Sequence, residues 1–295
     1  MRDAPGKFTT ITTALAVALA LSAGACGKKS HKAAAGAGSG STAGSTAGAS
    51  AGSQAKPAPP IRGVIRSTSP AEALAAPDRP AEDKALDAGR KPEELLTFIG
   101  VGRGMKVAEI FAGGGYMAEL LARVVGPEGA VWAQNTPEIL QQFAEKPWSE
   151  RLARLKMAWL VRVDRPLNDP LPPEAKDLDM VVMHLVYHDT VAAGVDRAAM
   201  NSGVWKALRP GGMFAIIDHA AKDGTGPDAA KELHRIDAKF VQTEVERAGF
   251  MLDRTSTLLE NKADTRDWNA SPPAAGDKRG TSDRFVMVFR KQTAQ

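Results

Sequence analysis

Between Met105 and Lys291 the chain alternates short apolar runs with longer amphipathic ones, and this alternation restricts the fold more than any single motif. "MKVAEIFA", "AVWAQN", "AWLVRVD", "LDMVVMHLVYHD", "MFAIIDHAA", "FMLDRTSTLL" and "RFVMVFRK" are short and apolar enough for buried strands, the fourth of them running on into a loop. The stretches "YMAELLARVV", "QQFAEKPWSERLARL", "AAMNSGVWKAL" and "AAKELHRIDAKFVQTEVERAG" carry helical spacing and stand between them. Strands that alternate with helices predict a Rossmann-like, doubly wound, mainly parallel seven-stranded α/β sheet covered on both faces. The last two strands lack an intervening helix, so they are expected to pair antiparallel at one edge. Upstream, "AEDKALDAGRKPEELLTFIGV" predicts an N-terminal helical extension within residues 61–103, with Pro92 opening a second helix whose Leu95, Leu96, Phe98 and Ile99 face inward.

The first sixty residues read differently. Arg2 and Lys7 precede an uncharged apolar segment ending at Ala25, the layout of an export signal over residues 1–25. Cys26, the chain's single cysteine, follows directly and rules out an internal disulfide. Two endings compete there. "AGAC" resembles a bacterial lipobox, which would make Cys26 the lipidated first residue, with Ala23 where Leu is usual. Ala23, Gly24 and Ala25 equally satisfy a small-residue cleavage site, leaving a periplasmic or secreted protein. An uncleaved anchor is the third option, although the apolar stretch is only marginally long enough to span a bilayer. Gly27 is unlike an inner-membrane retention signal, so a lipidated form is expected at the outer membrane. The Ala/Gly/Ser-rich segment through residue 60 offers nothing for a core and reads as a tether with a root-mean-square reach of roughly 30 Å. The folded domain is expected within 61–295. A formal charge of +4 spread over interspersed acids and bases gives no nucleic-acid footprint.

The most informative local stretch is "VAEIFAGGGYMAELL". Gly113, Gly114 and Gly115 fall at the first strand-to-helix turn, where bare backbone permits positive φ and close approach of a ligand. Gly113, Gly115 and Ala118 also satisfy a dinucleotide-type fingerprint. Glu109 distinguishes the options, because a carboxylate before the turn gains nothing beside pyrophosphate and suits a cationic ligand such as a methionine-like amino group.

"VAEIFAGGGYMAELLARVVGPEGAVWAQN" and "LRPGGMFAIIDH" resemble the first motif, second strand and fifth-strand approach of class I S-adenosylmethionine-dependent methyltransferases. Together with "PDRPAEDKALDAGRKPEELLTFIGV", "LVYHD", "IIDHAA", "LHRIDAKFVQTEVERAGF" and "DRFVMVFRK", they resemble a bacterial family of exported methyltransferases across residues 75 to 291. The resemblance implies S-adenosylmethionine as cofactor. Glu109 and Ala112 to Gly115 would meet its methionine part, Gln134 and Asn135 its ribose, and Asp164 the adenine. Two departures matter: Gln134 stands where Asp or Glu is usual, which removes charge assistance from the ribose contact, and Phe111 stands where a glycine is frequent.

Methyl transfer needs positioning and, for a hydroxyl or amine acceptor, removal of a proton. Four of the five histidines, His184, His188, His219 and His234, fall near the carboxyl ends of the fourth and fifth strands or on the following helix. His188, flanked by Tyr187 and Asp189, is the preferred base, with Asp218, His219, His234 and Arg235 as neighbours that orient substrate. His184 falls within the strand and reads as a satisfied core residue. His188, Asp189, His219 and His234 would offer metal ligands, but no tight spacing supports them, and no metal is assigned. The polar segment "SPPAAGDKRGTSDRF" either lies over the site or is simply exposed.

The function expected is methyl transfer from S-adenosylmethionine to an acceptor the residues do not identify. Two alternatives stay open. One is an envelope binding module for an adenosyl compound or other small ligand, suggested by Gln134 and by the cytoplasmic origin of the donor. The other is a nicotinamide-dependent oxidoreductase, which Glu109 disfavours.

Overall fold

The structure is a computed structural model that describes residues 68–292. The export segment, Cys26 and the tether lie outside the described residues. Three helices come first: α1 (Pro70–Ala75), α2 (Ala81–Arg90) and α3 (Pro92–Ile99). Ser69 opens α1 with a capping box, its hydroxyl accepting from the Glu72 amide while Glu72 reaches back to the Ser69 amide. The expected extension is therefore helical, and Phe98 is half-buried beside its fully buried neighbours Leu95, Leu96 and Ile99.

The alternation then follows as β1 (Lys106–Ile110), α4 (Tyr116–Val125), β2 (Ala130–Asn135), α5 (Pro137–Ile139), α6 (Glu145–Leu155), β3 (Leu160–Asp164) and β4 (Leu178–His184). Pro147, the third residue of α6, has no amide to bond back along the helix. The preceding turn, Leu140–Ala144, widens into a π-helix in which the Glu145 amide reaches the Leu140 carbonyl. The chain continues through α7 (Tyr187–Ala192), α8 (Arg197–Ala207), β5 (Leu208–His219), α9 (Ala229–Leu233), α10 (Ala238–Arg247), β6 (Phe250–Ser256), α11 (Pro272–Ala275) and β7 (Arg284–Lys291).

The seven strands form one Rossmann-like sheet in the order β3-β2-β1-β4-β5-β7-β6. Strands β1 to β5 pair parallel; β7 runs antiparallel between β5 and β6. The order reverses between β1 and β4, which opens a crevice beyond their carboxyl ends, the usual place for a ligand in such sheets. Both faces are covered, so the central strands are apolar on both sides. Side chains of a strand alternate between faces. Val107, Met180, Val182 and Ile217 pack into the cluster formed with α3, α4 and α6. Ala108, Val181, Phe214 and Ile216 pack into the one formed with α8 and α10. By that alternation Glu109, His184 and His219 share the first face, and Asp218 belongs to the second.

Two expectations need correction. "LVYHD" does not run on as a loop: Leu185 turns with φ 63° and α7 begins at Tyr187. Nor is 229–249 one helix. It ends at His234, which takes a left-handed φ of 47°. The main chain of Ile236 then joins the sheet edge, its amide donating to the His219 carbonyl at 2.9 Å, before Asp237 caps α10 through its bond from the Lys239 amide. The break carries His234 off the helix and back toward the carboxyl edge.

Candidate functional site

Glu109, one residue before the end of β1, is buried, 3% exposed, and its Oε2 has no hydrogen-bond partner. Burial raises its pKa to about 8, with Arg90, Arg151 and the Ala118 amide pulling the other way. A side chain expected as an anion is thus largely a neutral acid at pH 7 until a cation reaches it.

The turn beyond it is tied down from several sides. Gln134 Oε1 accepts from the Phe111 amide at 2.9 Å, and its Nε2 donates to the Arg165 carbonyl at 2.6 Å. Asn135 accepts from the Gly113 amide at 2.7 Å and donates to the Gly113 carbonyl at 3.0 Å. Ala112 uses its amide on the Gln134 carbonyl and its own carbonyl on the Gly115 amide. The Gly114 carbonyl accepts from Arg151 Nε at 2.6 Å. Both amides assigned to ribose are therefore staples of the loop. Asp164, the last residue of β3, is exposed and paired with Arg162 at 2.8 Å. Phe111 occupies the place of the frequent glycine at a φ of 64°, held by the Gln134 bond.

The three glycines also divide. Gly115, with φ 82°, is bare because Trp148 packs there: a Cβ would stand 2.3 Å from its ring. Gly114 would make only ordinary contact with Pro147, and a Cβ on Gly113 would meet nothing. Only the Gly113 side of the turn is open to a ligand.

Arg90 narrows the same corner. Its guanidinium lies over the Tyr116 ring at 4.3 Å, while the Tyr116 hydroxyl donates to Asp87 at 2.7 Å. Arg79 grips Asp87 through two bonds of 2.8 Å, and Arg151 bridges Asp83 at 2.6 Å to Glu119. This network fastens α2 across the mouth of the turn. Single-residue patterns gave no sign of it, because its members come from three separate helices and the loop before α2. A cavity of about 180 Å³ lies elsewhere on the molecule, lined by Ala220, Arg266, Asp283 and Arg284 among others.

A second cluster forms where β4 and β5 end. Asp218, fully buried, accepts from the His188 amide and from His188 Nδ1, each at 2.7 Å, and from the His219 amide at 2.7 Å. The Nε2 of His188 stands 3.3 Å from Asp189 Oδ1 and 3.3 Å from His234 Nδ1. Burial alone would lower the pKa of His188, but Asp189 and Asp218 raise it well above the ordinary histidine value. With Nδ1 committed to Asp218 and Nε2 turned toward Asp189 and His234, His188 is not placed as a base. Asp218 has its oxygens committed to His188 and His219, so it fixes that ring rather than a substrate.

His219 is half-buried, and its Nδ1 meets Ser282 Oγ at 2.7 Å. Burial and the cationic neighbours His188, Arg284 and Arg235 push its pKa well below the usual value. It is therefore neutral at pH 7, with Nε2 outside any hydrogen bond among the described residues. Ser282 belongs to the polar segment before β7, which does reach over this part of the edge. His184 stacks on Tyr116 with centroids 6.3 Å apart and leaves a buried Nε2 unpaired.

Two expected site residues lie elsewhere. Tyr187 points into the α8–α10 side, its hydroxyl bonded to Asn201 at 3.0 Å and Glu244 at 3.1 Å. Arg235 is fully buried and pairs with Asp264 at 2.8 Å, packed on Trp268, so it anchors the chain after α9.

No protein-family model and no curated protein matches the chain. Among solved structures, similarity extends to an S-adenosylmethionine-dependent methyltransferase from Aquifex aeolicus at 19% identity, covering 72% of this chain and 98% of that one, with a TM-score of 0.49. An arsenic(III) S-adenosylmethionine methyltransferase from Chlamydomonas reinhardtii aligns at 17% identity over 77% and 74% of the two chains, TM-score 0.47. The 1,6-didemethyltoxoflavin-N1-methyltransferase of Burkholderia thailandensis, solved with S-adenosylhomocysteine, aligns at 19% identity over 72% and 80%, TM-score 0.45.

Proposed function

We propose that this chain is an S-adenosylmethionine-dependent methyltransferase acting on a small or medium-sized acceptor, exported and held at the bacterial envelope by lipid on Cys26. The observation that supports the catalytic part is the unpaired Oε2 of Glu109, buried near the end of β1, the strand that feeds the glycine turn at the sheet's switch point. An orphaned buried carboxyl oxygen is costly and invites a donor. The ammonium of a methionine-like tail is such a donor, and the Gly114 amide, free of any partner among the described residues, suits its carboxylate.

A bound donor supplies an electrophilic methyl group on sulfonium. The chain's own part is to hold the amino-acid end with Glu109, Gly113 and Gly114 and to take a proton from the acceptor. His219 suits that second role better than His188, because it is neutral and its Nε2 is free. The nucleoside end fits less well, since Gln134, Asn135 and Asp164 are all spent on the protein itself.

That last observation favours a second reading, in which the same corner holds an amino-acid-bearing or adenosyl ligand without transferring a methyl group. A nicotinamide-dependent oxidoreductase is the third, and Glu109 remains the argument against it. Titration of the full chain with S-adenosylmethionine, S-adenosylhomocysteine and NAD, followed by a methyl-transfer assay on envelope extract with label in the donor methyl, separates them. Donor binding with labelled product supports the enzyme; binding without product supports the module; NAD binding alone supports the oxidoreductase. The anchor rests on residues 1–26 and is tested by the intact mass of membrane-extracted protein, expected to begin at an acylated Cys26.

A further inference from the structure

We propose that His188, Asp189 and His234 form a three-ligand site for a first-row divalent cation, zinc by preference, with one coordination position left open. The three candidate atoms, His188 Nε2, Asp189 Oδ1 and His234 Nδ1, lie within 4.8 Å of one another. Their separations are 3.3, 3.3 and 3.5 Å. A tetrahedral ion with bonds of about 2.0–2.1 Å holds its ligands roughly 3.3–3.4 Å apart, the edge of the tetrahedron. An octahedral magnesium site with bonds of about 2.0–2.1 Å would need adjacent ligands near ~3.0 Å. Calcium tolerates wider spacing but takes oxygen ligands, and two imidazoles exclude it.

Asp189 supplies the independent sign. Its Oδ1 is buried and has no hydrogen-bond partner, although two imidazole nitrogens stand within 3.5 Å. The angles are wrong for hydrogen bonds, whereas three atoms converging on a common centre need none. The next layer agrees. Nδ1 of His188 is bound to the buried Asp218 carboxylate at 2.7 Å, which turns Nε2 toward the other two ligands, the arrangement that orients metal-binding histidines. His234 is held in a left-handed conformation that a side chain of its size seldom adopts, and that conformation is what ends α9 and brings the ring to the edge. His219, weighed as a fourth ligand on sequence grounds, instead pairs with Ser282, so the set is three. Three protein ligands with a vacant fourth position are the pattern of a site that handles substrate or water rather than one that only braces the fold. None of this depends on methyl transfer.

The test is zinc binding to the purified full chain, measured by competition with a chromophoric chelator. One zinc per chain is expected, with affinity reduced at least a hundredfold by Asp189→Ala and by His234→Asn, the latter chosen because Asn tolerates left-handed backbone. Asp218→Asn should weaken binding about 10- to 100-fold. Circular dichroism establishes that each variant is folded. If one is not, the cobalt complex of the unaltered chain decides: intense visible bands of a four-coordinate ion are expected. Absence of zinc binding, binding unchanged in the folded variants, which would place the ion on His31 or Cys26, or a weak octahedral cobalt spectrum would each overturn the proposal.

Discussion

Replacing Glu109 with Gln removes the titratable group near the end of β1 and keeps its shape. In the fold, burial raises this carboxyl from an ordinary 4.5 to about 8, against the pull of Arg90 and Arg151. Between those two values the folded protein keeps a proton that the unfolded chain has released. Stability contributed by the protonated form is complete below pH 4.5 and is lost as pH rises through the folded value. The slope approaches about 1.4 kcal/mol per pH unit, so from pH 5 to pH 8 Glu109 costs the fold on the order of 4 kcal/mol. For a domain of this size, that is roughly 8–16 °C in melting temperature. The assay is thermal denaturation of the full chain and of Glu109→Gln across pH 5 to 8.5, taken as the difference between them. Other titrating groups, His188 among them, act in both proteins and largely cancel. The expected result is a gap that opens in favour of the variant as pH rises. Parallel curves would refute the reasoning, because they would mean that the Glu109 carboxyl is already ionised, or already hydrated, at pH 5.

Gly115→Ala should cost on the order of 3 kcal/mol in urea unfolding, because a Cβ there collides with Trp148 at a φ of 82°. Gly113→Ala, with open space at a φ of 56°, should cost only about 1 kcal/mol from the left-handed backbone. Arg235→Met leaves Asp264 buried without its partner, and about 3–5 kcal/mol of stability should go with it. Should methyl transfer be detected, His219→Ala is expected to lower kcat about 10²- to 10⁴-fold while leaving donor affinity intact, measured by labelled-methyl transfer and by calorimetry.

Much of the architecture was legible from spacing. Seven apolar runs separated by helical patterns implied the sheet, and the lack of a crossover-length helical pattern before the last strand implied the antiparallel pair, where the structure has only the single turn of α11. The period of two along β1, β4 and β5 also aligns Glu109, His184 and His219 on one face. What spacing does not carry is where a polar side chain finds its partner. Gln134 and Asn135 sit at the ribose position by sequence, yet the nearest groups to satisfy them are the main chain of Phe111 and Gly113. Arg235 follows His234 directly, but the broken helix sends one to Asp264 and the other to His188. The break itself had no local signal. Its causes are a main-chain pairing with His219 and the cap at Asp237, and the first of these exists only once the sheet has formed.

Calorimetric titration of the full chain with S-adenosylmethionine, run beside Glu109→Gln at pH 6 and pH 7.5, bears most directly on the role given to this carboxyl. A charge-assisted bond to the ligand's ammonium is worth about 1.5–3 kcal/mol, so the variant should bind roughly 10- to 150-fold more weakly at pH 7.5. The unaltered protein should bind more tightly at pH 7.5 than at pH 6, because less of Glu109 still has a proton to lose while the ligand's amino group stays largely charged. Failure to bind at all, or equal affinity in the two proteins at both pH values, would contradict the placement of a cationic ligand at the end of β1.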